Sequence, residues 1–268
     1  VITYREIRES KHLEAIVDLQ SDVWLSSDRE STPHNTLLAI IHHSGSIIGA
    51  FDGERVIGFT LAFISRFGDT FGMWSHMAAV HPDYQRQGIG FQLKQEQRIW
   101  CLREGYRLMK WTYDPLQRGN ANFNLRQLGG YATTYHVNFY GEMKDGLNKG
   151  MPSDRLELTW DMQSERVEAS VHQPLPTITQ DYPQEAFLLS QADDQTPLIA
   201  GQTPALRYHF AEIPYDIKAL RLQNMDLVLA WRFALRDVML NVLANGYRVV
   251  DFVTQDQRCW YVFEQSAT

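Results

Sequence analysis

Apolar and polar residues alternate over residues 1–8, the period of a strand with one buried face. Ser10 is placed to cap a helix that reaches about Trp24, with Leu13, Ile16, Val17 and Gln20 at helical spacing. A second helix is predicted through residues 36–41. Residues 47–51 and 56–63 are apolar runs joined by Asp52-Gly53-Glu54, a short polar connection that favours a hairpin. Another strand runs from Met73 to Val80 and stops at His81-Pro82, because proline has no N–H with which to continue a ladder. Between Gly88 and Glu104, Ile89, Leu93 and Trp100 recur at helical intervals, and Gly105 supplies a stop. Strands are predicted at 108–113, 131–140 and 155–160, with a helix over 120–128. The predicted order is β-α-α-β-β-β-α-β-α-β-β.

The pattern weakens over residues 164–180, where Pro174 and Pro176 occur, so a boundary is expected near Met162. This gives a first domain of residues 1–162 and a smaller α+β domain of residues 163–268. In the second, strands are predicted near 187–189, 206–210, 247–250 and 260–263, with helices from about Tyr215 and Asp226.

Composition narrows the possible partners. The 268 residues carry 25 Lys and Arg against 32 Asp and Glu, and a net charge of -7 gives no reason to expect a nucleic acid or an anionic membrane. Cys101 and Cys259 are the only cysteines, which suits a reducing compartment, and the cytoplasm is the expectation. No signal-peptide core and no bilayer-spanning stretch is read.

The stretch richest in chemistry is Met77-Ala78-Ala79-Val80-His81-Pro82-Asp83-Tyr84-Gln85-Arg86-Gln87-Gly88-Ile89-Gly90, a strand that enters a glycine loop and opens a helix. Glycines allow close backbone approach, and the first amides of a helix point toward negative charge, so a pyrophosphate could be held without a lysine. The bland alternative is that Gly88 and Gly90 only shape a turn. A Walker A loop is excluded, because Phe91 and Gln92 follow Gly90. The dinucleotide fingerprint fails as well, with Leu93 at its third glycine position.

Gln85-x-x-Gly88-x-Gly90 after a strand that ends in Val80-x-Pro82 resembles the acyl-CoA signature of the GNAT superfamily, and the element order over about residues 1–161 is similar to that family's. A closer resemblance is to a group of predicted GNAT acetyltransferases of about this length. It is carried by Trp111-Thr112-Tyr113-Asp114-Pro115-Leu116, by Asn120-Ala121-x-x-Asn124-Leu125-x-x-Leu128-Gly129, and by Asn138-x-Tyr140-Gly141-Glu142-Met143. Leu147-Asn148-x-Gly150-x-Pro152-x-Asp154-Arg155-Leu156 and Trp231-Arg232-x-x-x-Arg236 extend it. The resemblance implies an α/β fold with a mixed, largely antiparallel sheet flanked by helices. It implies acetyl-CoA or another short acyl-CoA as co-substrate, no metal, and transfer to an amine. Amides of Arg86, Gln87, Gly88, Ile89, Gly90 and Phe91 would bind the CoA pyrophosphate, with Gln85 part of the signature. Backbone groups of Ala78, Ala79 and Val80 would pair with the pantetheine arm, and the Ala78 amide would meet the oxyanion.

Amine acylation also needs a base and a proton for the departing thiolate. His76 is the first candidate base, because strand alternation puts it on the face of Ala78 and Val80, and its ordinary pKa near 6.5 suits the task. The spacing is similar to that of arylalkylamine N-acetyltransferases. A histidine bonded within the core is the alternative, and Asp114, itself a possible turn opener, is the other candidate base. Leu125 stands where many of these enzymes carry a tyrosine proton donor, which leaves Tyr113, Tyr131, Tyr135 or solvent for that role. Asn120 and Asn124, one turn apart, are candidates for the pantetheine amides. Arg232 and Arg236 flank the apolar stripe of the long C-terminal helix. They are expected either to find an internal carboxylate, such as Asp237, or to bind a carboxylate on the acceptor or acyl group. His34, His42 and His43 lack the company of a metal site. Cys101 reads as a core thiol. The alternative to an enzyme is a non-catalytic acyl-CoA-binding or regulatory module. Neither the acceptor nor the oligomeric state is legible.

Overall fold

The structure is a computed structural model that describes all residues except 25–30, 44, 142–149, 174, 177–181, 202 and 267–268. Glu142, Met143, Leu147 and Asn148 of the extended motif, and Pro174 of the expected boundary, therefore lie outside the described residues. It is a mixed α/β structure with a largely antiparallel sheet flanked by helices, and its chain forms two compact units.

Val1–Trp111 and Asp161–Gln163 belong to the first unit. Strands β1 (Ile2–Glu6), β2 (Gly45–Asp52), β3 (Arg55–Phe67) and β4 (Thr70–Val80) form an antiparallel meander, and β5 (Leu108–Tyr113) adds parallel to β4. Helices α1 (Ser10–Trp24) and α2 (His34–His43) supply Leu13, Ile16, Leu19 and Leu37 to a core cluster with Phe51, Phe59, Leu61 and Ala79. Helix α3 (Ile89–Arg103) places Ile89 and Leu93 in a second cluster with Ile48, Ala50 and Ile57. Strands β2 and β3 read as nearly continuous apolar runs because neighbouring residues serve opposite clusters. Burying a side chain such as Ile89 or Leu93 contributes about 1.5–3 kcal/mol, so the N-terminus of α3 is anchored by packing.

The second unit lies within residues 112–268. Strands β6 (Tyr131–His136) and β7 (Arg155–Asp161) pair antiparallel, and β11 (Tyr247–Gln255) joins β6 at Val249 opposite Ala132. β12 (Arg258–Gln265), β10 (Tyr208–Ile213), β8 (Phe187–Gln191) and β9 (Pro197–Ile199) follow in that order. α4 (Arg118–Ala121), α5 (Glu165–His172), α6 (Ile217–Gln223) and α7 (Met225–Ala244) are its helices. Helix α5 and strand β9 were not expected from sequence. Ser164 caps α5 by accepting from the Val167 amide.

The contacts group residues 112–141 and 150–160 with the C-terminal residues, whereas the sequence boundary fell near Met162. The reason lies in pairing: β6 joins the ladder of β11, and α7 packs on β6 and β11. No helix among the described residues is long and apolar enough to cross a membrane.

Candidate active site

The hydrogen-bond phase of β4 sets what its edge can offer. The His81 amide donates to the Ile57 carbonyl at 2.8 Å, and the register continues as Gly58 with Val80, Phe59 with Ala79, Thr60 with Ala78 and Leu61 with Met77. Polar backbone groups alternate in direction along an antiparallel ladder. Ala79 and Met77 therefore turn theirs to β3, while Ala78 and Val80 turn theirs to the opposite side. On that side β5 pairs with β4 only at Met73 with Met109 and Trp74 with Lys110, among the described residues. The edge beyond Trp74 is thus open to an extended ligand. Ala79, expected to contribute to it, does not, because its backbone belongs to the β3 ladder and its methyl is buried.

The loop continues this edge. The Gln85 side chain donates to the Val80 carbonyl at 3.1 Å, so the signature glutamine ties the loop back to the strand. Gln87 donates to the Asp83 carbonyl at 3.3 Å, a bond within the loop itself. Arg86 has φ 62° and Gly88 φ 78°, two left-handed residues that curl the chain into the first turn of α3. Gly88 caps α3 without a side-chain hydrogen bond, which leaves the first amides, including those of Ile89, Gly90 and Phe91, directed into the loop's concavity. A β-carbon on Gly90 would meet only Val80 Cγ2, at 3.9 Å. Space at this position is therefore space for a ligand. An open strand edge followed by an uncapped helix N-terminus fits an extended amide chain that ends in a pyrophosphate, the shape of CoA.

His76 lies in a β-bulge. Leu61 pairs with Met77 and Ala62 with Ser75, which leaves His76 as the extra residue. The bulge corrects the expectation that His76 shares the face of Ala78 and Val80. Its ring lies 5.7 Å from Phe63, which by alternation along β3 shares the face of Phe59 and Leu61, whereas Val80 packs into the cluster of Ile57 and Leu93. The residue is exposed, yet enough protein surrounds its ring that desolvation lowers its pKa from the ordinary value.

Sequence reasoning missed Lys94, which is 2% exposed. Its Nζ donates to Gln97 Oε1 at 2.8 Å and to Ser75 Oγ at 3.0 Å, and lies 3.9 Å from the Trp111 ring centroid. Burial brings its pKa down to about 7. The signal was available, since residue 94 falls on the buried stripe of α3 with Gln97 and Cys101. Burial pushes the Cys101 thiol up to about 12, which fits a core thiol.

The remaining candidates belong to the second unit. Asp114 Oδ1 accepts from the Leu116 amide at 3.0 Å and from Arg232 Nη2 at 2.7 Å. Asp114 is thus both a turn opener and one half of an ion pair. Arg236 Nε and Nη2 donate to Asp154 at 2.8 and 2.9 Å, and Tyr135 and the Asn138 amide donate to the same carboxylate. The internal partners are therefore Asp114 and Asp154, not Asp237, which stays on the exposed face of α7 while both arginines turn toward the buried one. The helix expected over 120–128 is not continuous: α4 gives way to a π-helical turn, Asn122–Gln127, closed by the Leu128 amide on the Phe123 carbonyl. Asn120 is exposed and Asn124 buried, so the two do not share an environment. Leu125, in the place of the absent tyrosine, is fully buried. Burial pushes the phenols of Tyr113 and Tyr135 well up, against proton release, while Tyr131 lies beneath the Arg248 guanidinium. Among the described residues no group of three or more His, Cys, Asp and Glu is placed to hold a metal ion.

Residues 13–129 match the acetyltransferase (GNAT) family. No curated protein sequence matches the chain significantly. Among solved structures, a GNAT-family protein from Desulfovibrio desulfuricans is 15% identical, with a TM-score of 0.50 over 60% of this chain and 99% of that one. The ribosomal-protein-S18-alanine N-acetyltransferase of Escherichia coli is 16% identical, with a TM-score of 0.49 over 61% and 96%. An N-acetyltransferase from Thermoplasma acidophilum, solved with coenzyme A, is 18% identical, with a TM-score of 0.45 over 60% and 99%. The first of these likenesses is one of fold.

Proposed function

We propose that this chain, whose residues 13–129 form a GNAT acetyltransferase domain, moves an acyl group, acetyl by default, from acyl-CoA to the amine of a small molecule in a ternary complex. The carrying observation is the open edge at Ala78 and Val80 running directly into the uncapped N-terminus of α3. Acyl-CoA supplies the activated acyl group, and the chain's own residues do the rest. The loop amides hold negative charge, and the Ala78 amide faces the place where charge develops on the thioester oxygen. His76, favoured in its neutral form, takes the proton from the attacking amine. Asp114 is the weaker candidate, since Arg232 and the Leu116 amide already hold its carboxylate. Arg232 and Arg236 each pair with a carboxylate of their own unit, and although Nε and Nη1 of Arg232 have no partner, they are buried, so a substrate carboxylate there is the weaker reading.

A non-catalytic acyl-CoA-binding module is the second reading, favoured by the buried Leu125 where a tyrosine would stand. Thiol release from acetyl-CoA with a panel of small amines separates the two. Release above the amine-free rate is expected. CoA binding without release across the panel would favour the module.

A further inference from the structure

Between helix α1 and the start of β3 lies a cleft of about 530 Å³, within the roughly 300–1,000 Å³ that small-molecule sites occupy. It is separate from the edge and loop described above. Its Leu19 and Val56 belong to the α1 side of the sheet, whereas the loop opens α3, whose Ile89 and Leu93 pack on the other side. Ala15, Leu19 and Val56 give the cleft an aliphatic floor, and His12 completes it. His12 is 5% exposed, its ring packs edge-on against Phe51 at 5.1 Å, and its Nε2 has no hydrogen-bond partner. A polar atom so buried calls for a partner that the described residues do not supply.

The rim carries both signs of charge. Asp18 and Asp22 of α1 are exposed and one turn apart, and their carboxylates enter no hydrogen bond or ion pair among the described residues. Like charges at this spacing repel, and Asp22 lies in the last turn of α1, where the helix dipole disfavours an acid and no basic residue offsets it. From β3 comes Arg55, whose Nη2 lies 3.1 Å from His81 Nε2 and whose guanidinium stands 5.8 Å from the Tyr84 ring. These contacts orient the guanidinium without neutralising it, and its planar fork suits a carboxylate. The other charges of the rim are paired already, Lys11 with Glu9 at 3.0 Å and Glu54 with Arg5 at 4.0 Å.

We propose that this cleft is a second ligand site, for a small zwitterion with an aliphatic body, the chemistry of a free amino acid. The ammonium meets Asp18 and Asp22, the carboxylate meets Arg55, and the aliphatic group covers Leu19 and Val56. A lone cation would leave Arg55 unmet, and a lone anion would leave both aspartates unmet. Binding here requires no CoA.

Three compounds that share one aliphatic skeleton test the site: leucine, isoamylamine, which lacks the carboxylate, and isocaproate, which lacks the ammonium. Each is titrated into the full chain without CoA and followed by NMR. Leucine should bind wild type at least about tenfold more tightly than either fragment. The double variant Asp18→Asn, Asp22→Asn should weaken leucine at least about tenfold and leave isocaproate unchanged, and Arg55→Gln should bring leucine down to the level of isoamylamine. All three side chains are exposed, so both variants should fold as wild type does, which circular dichroism checks. No leucine binding to wild type, equal binding of the three compounds, or unchanged leucine affinity in the folded variants would overturn the proposal.

Discussion

His76→Ala should lower the turnover of acyl transfer by about 10²- to 10⁴-fold while acyl-CoA affinity stays nearly unchanged, the split expected of a general base that does not hold the co-substrate. The site sits in the β4 bulge, where an extra residue is left out of the β3 ladder and its side chain can be re-aimed without disturbing the pairs on either side. Desolvation disfavours the imidazolium, so the ring is neutral and able to accept a proton at pH 7. The acid limb of the turnover profile should therefore fall below the ordinary histidine value of about 6.5. Loss of the ring removes little packing, since the residue is exposed and its described aromatic contact is a tilted one with Phe63 at 5.7 Å. Turnover of His76→Ala equal to that of wild type across about pH 6 to 9 would return His76 to the role of a strand residue and promote Asp114.

Arg236→Gln should destabilise the protein by about 3–5 kcal/mol, because it strips a fully buried carboxylate of its bidentate cation. Burial works to raise the Asp154 carboxyl, yet Arg236, the Asn138 amide and Tyr135 together hold it below the usual range. A carboxyl depressed on folding contributes stability at neutral pH and loses it as pH falls through the folded value. In the variant that support is gone, and a protonated Asp154 no longer needs a cation. The difference between wild type and variant should accordingly narrow below about pH 4. Denaturant unfolding at pH 7 and near pH 3 measures both. A variant within about 0.5 kcal/mol of wild type at pH 7 would show that the pair is a surface-like bridge worth little.

Residues with strong periodicity were read correctly from sequence. Ser10 begins α1, the 47–63 hairpin is β2 and β3, and the glycine loop opens α3. The left-handed turn at Gly88 and the open space beside Gly90 were legible because they depend on backbone freedom and on the lack of a side chain, which residue type reports directly. What failed depends on register. An extra residue in one strand cannot be seen in a single chain, and it moved His76 off the face assigned to it. The alternation of backbone groups that removes Ala79 from the edge needs the partner strand as well. Arg232 and Arg236 found carboxylates 118 and 82 residues away, beyond the reach of any local helix rule. The π-helical turn after α4 departs from the 3.6-residue period on which the Asn120 and Asn124 pairing relied.

If the loop and strand edge bind CoA, titration calorimetry of CoA against wild type and Gly90→Val will show it. Val80 Cγ2, the nearest atom to an added β-carbon, is 3.9 Å away, so a β-branched side chain starts from open space and is expected to fold. Saturable binding to wild type is expected, with at least about tenfold weaker binding to the folded variant, a loss of about 1.4 kcal/mol. Equal affinity in the two proteins, or no binding to wild type, would contradict it.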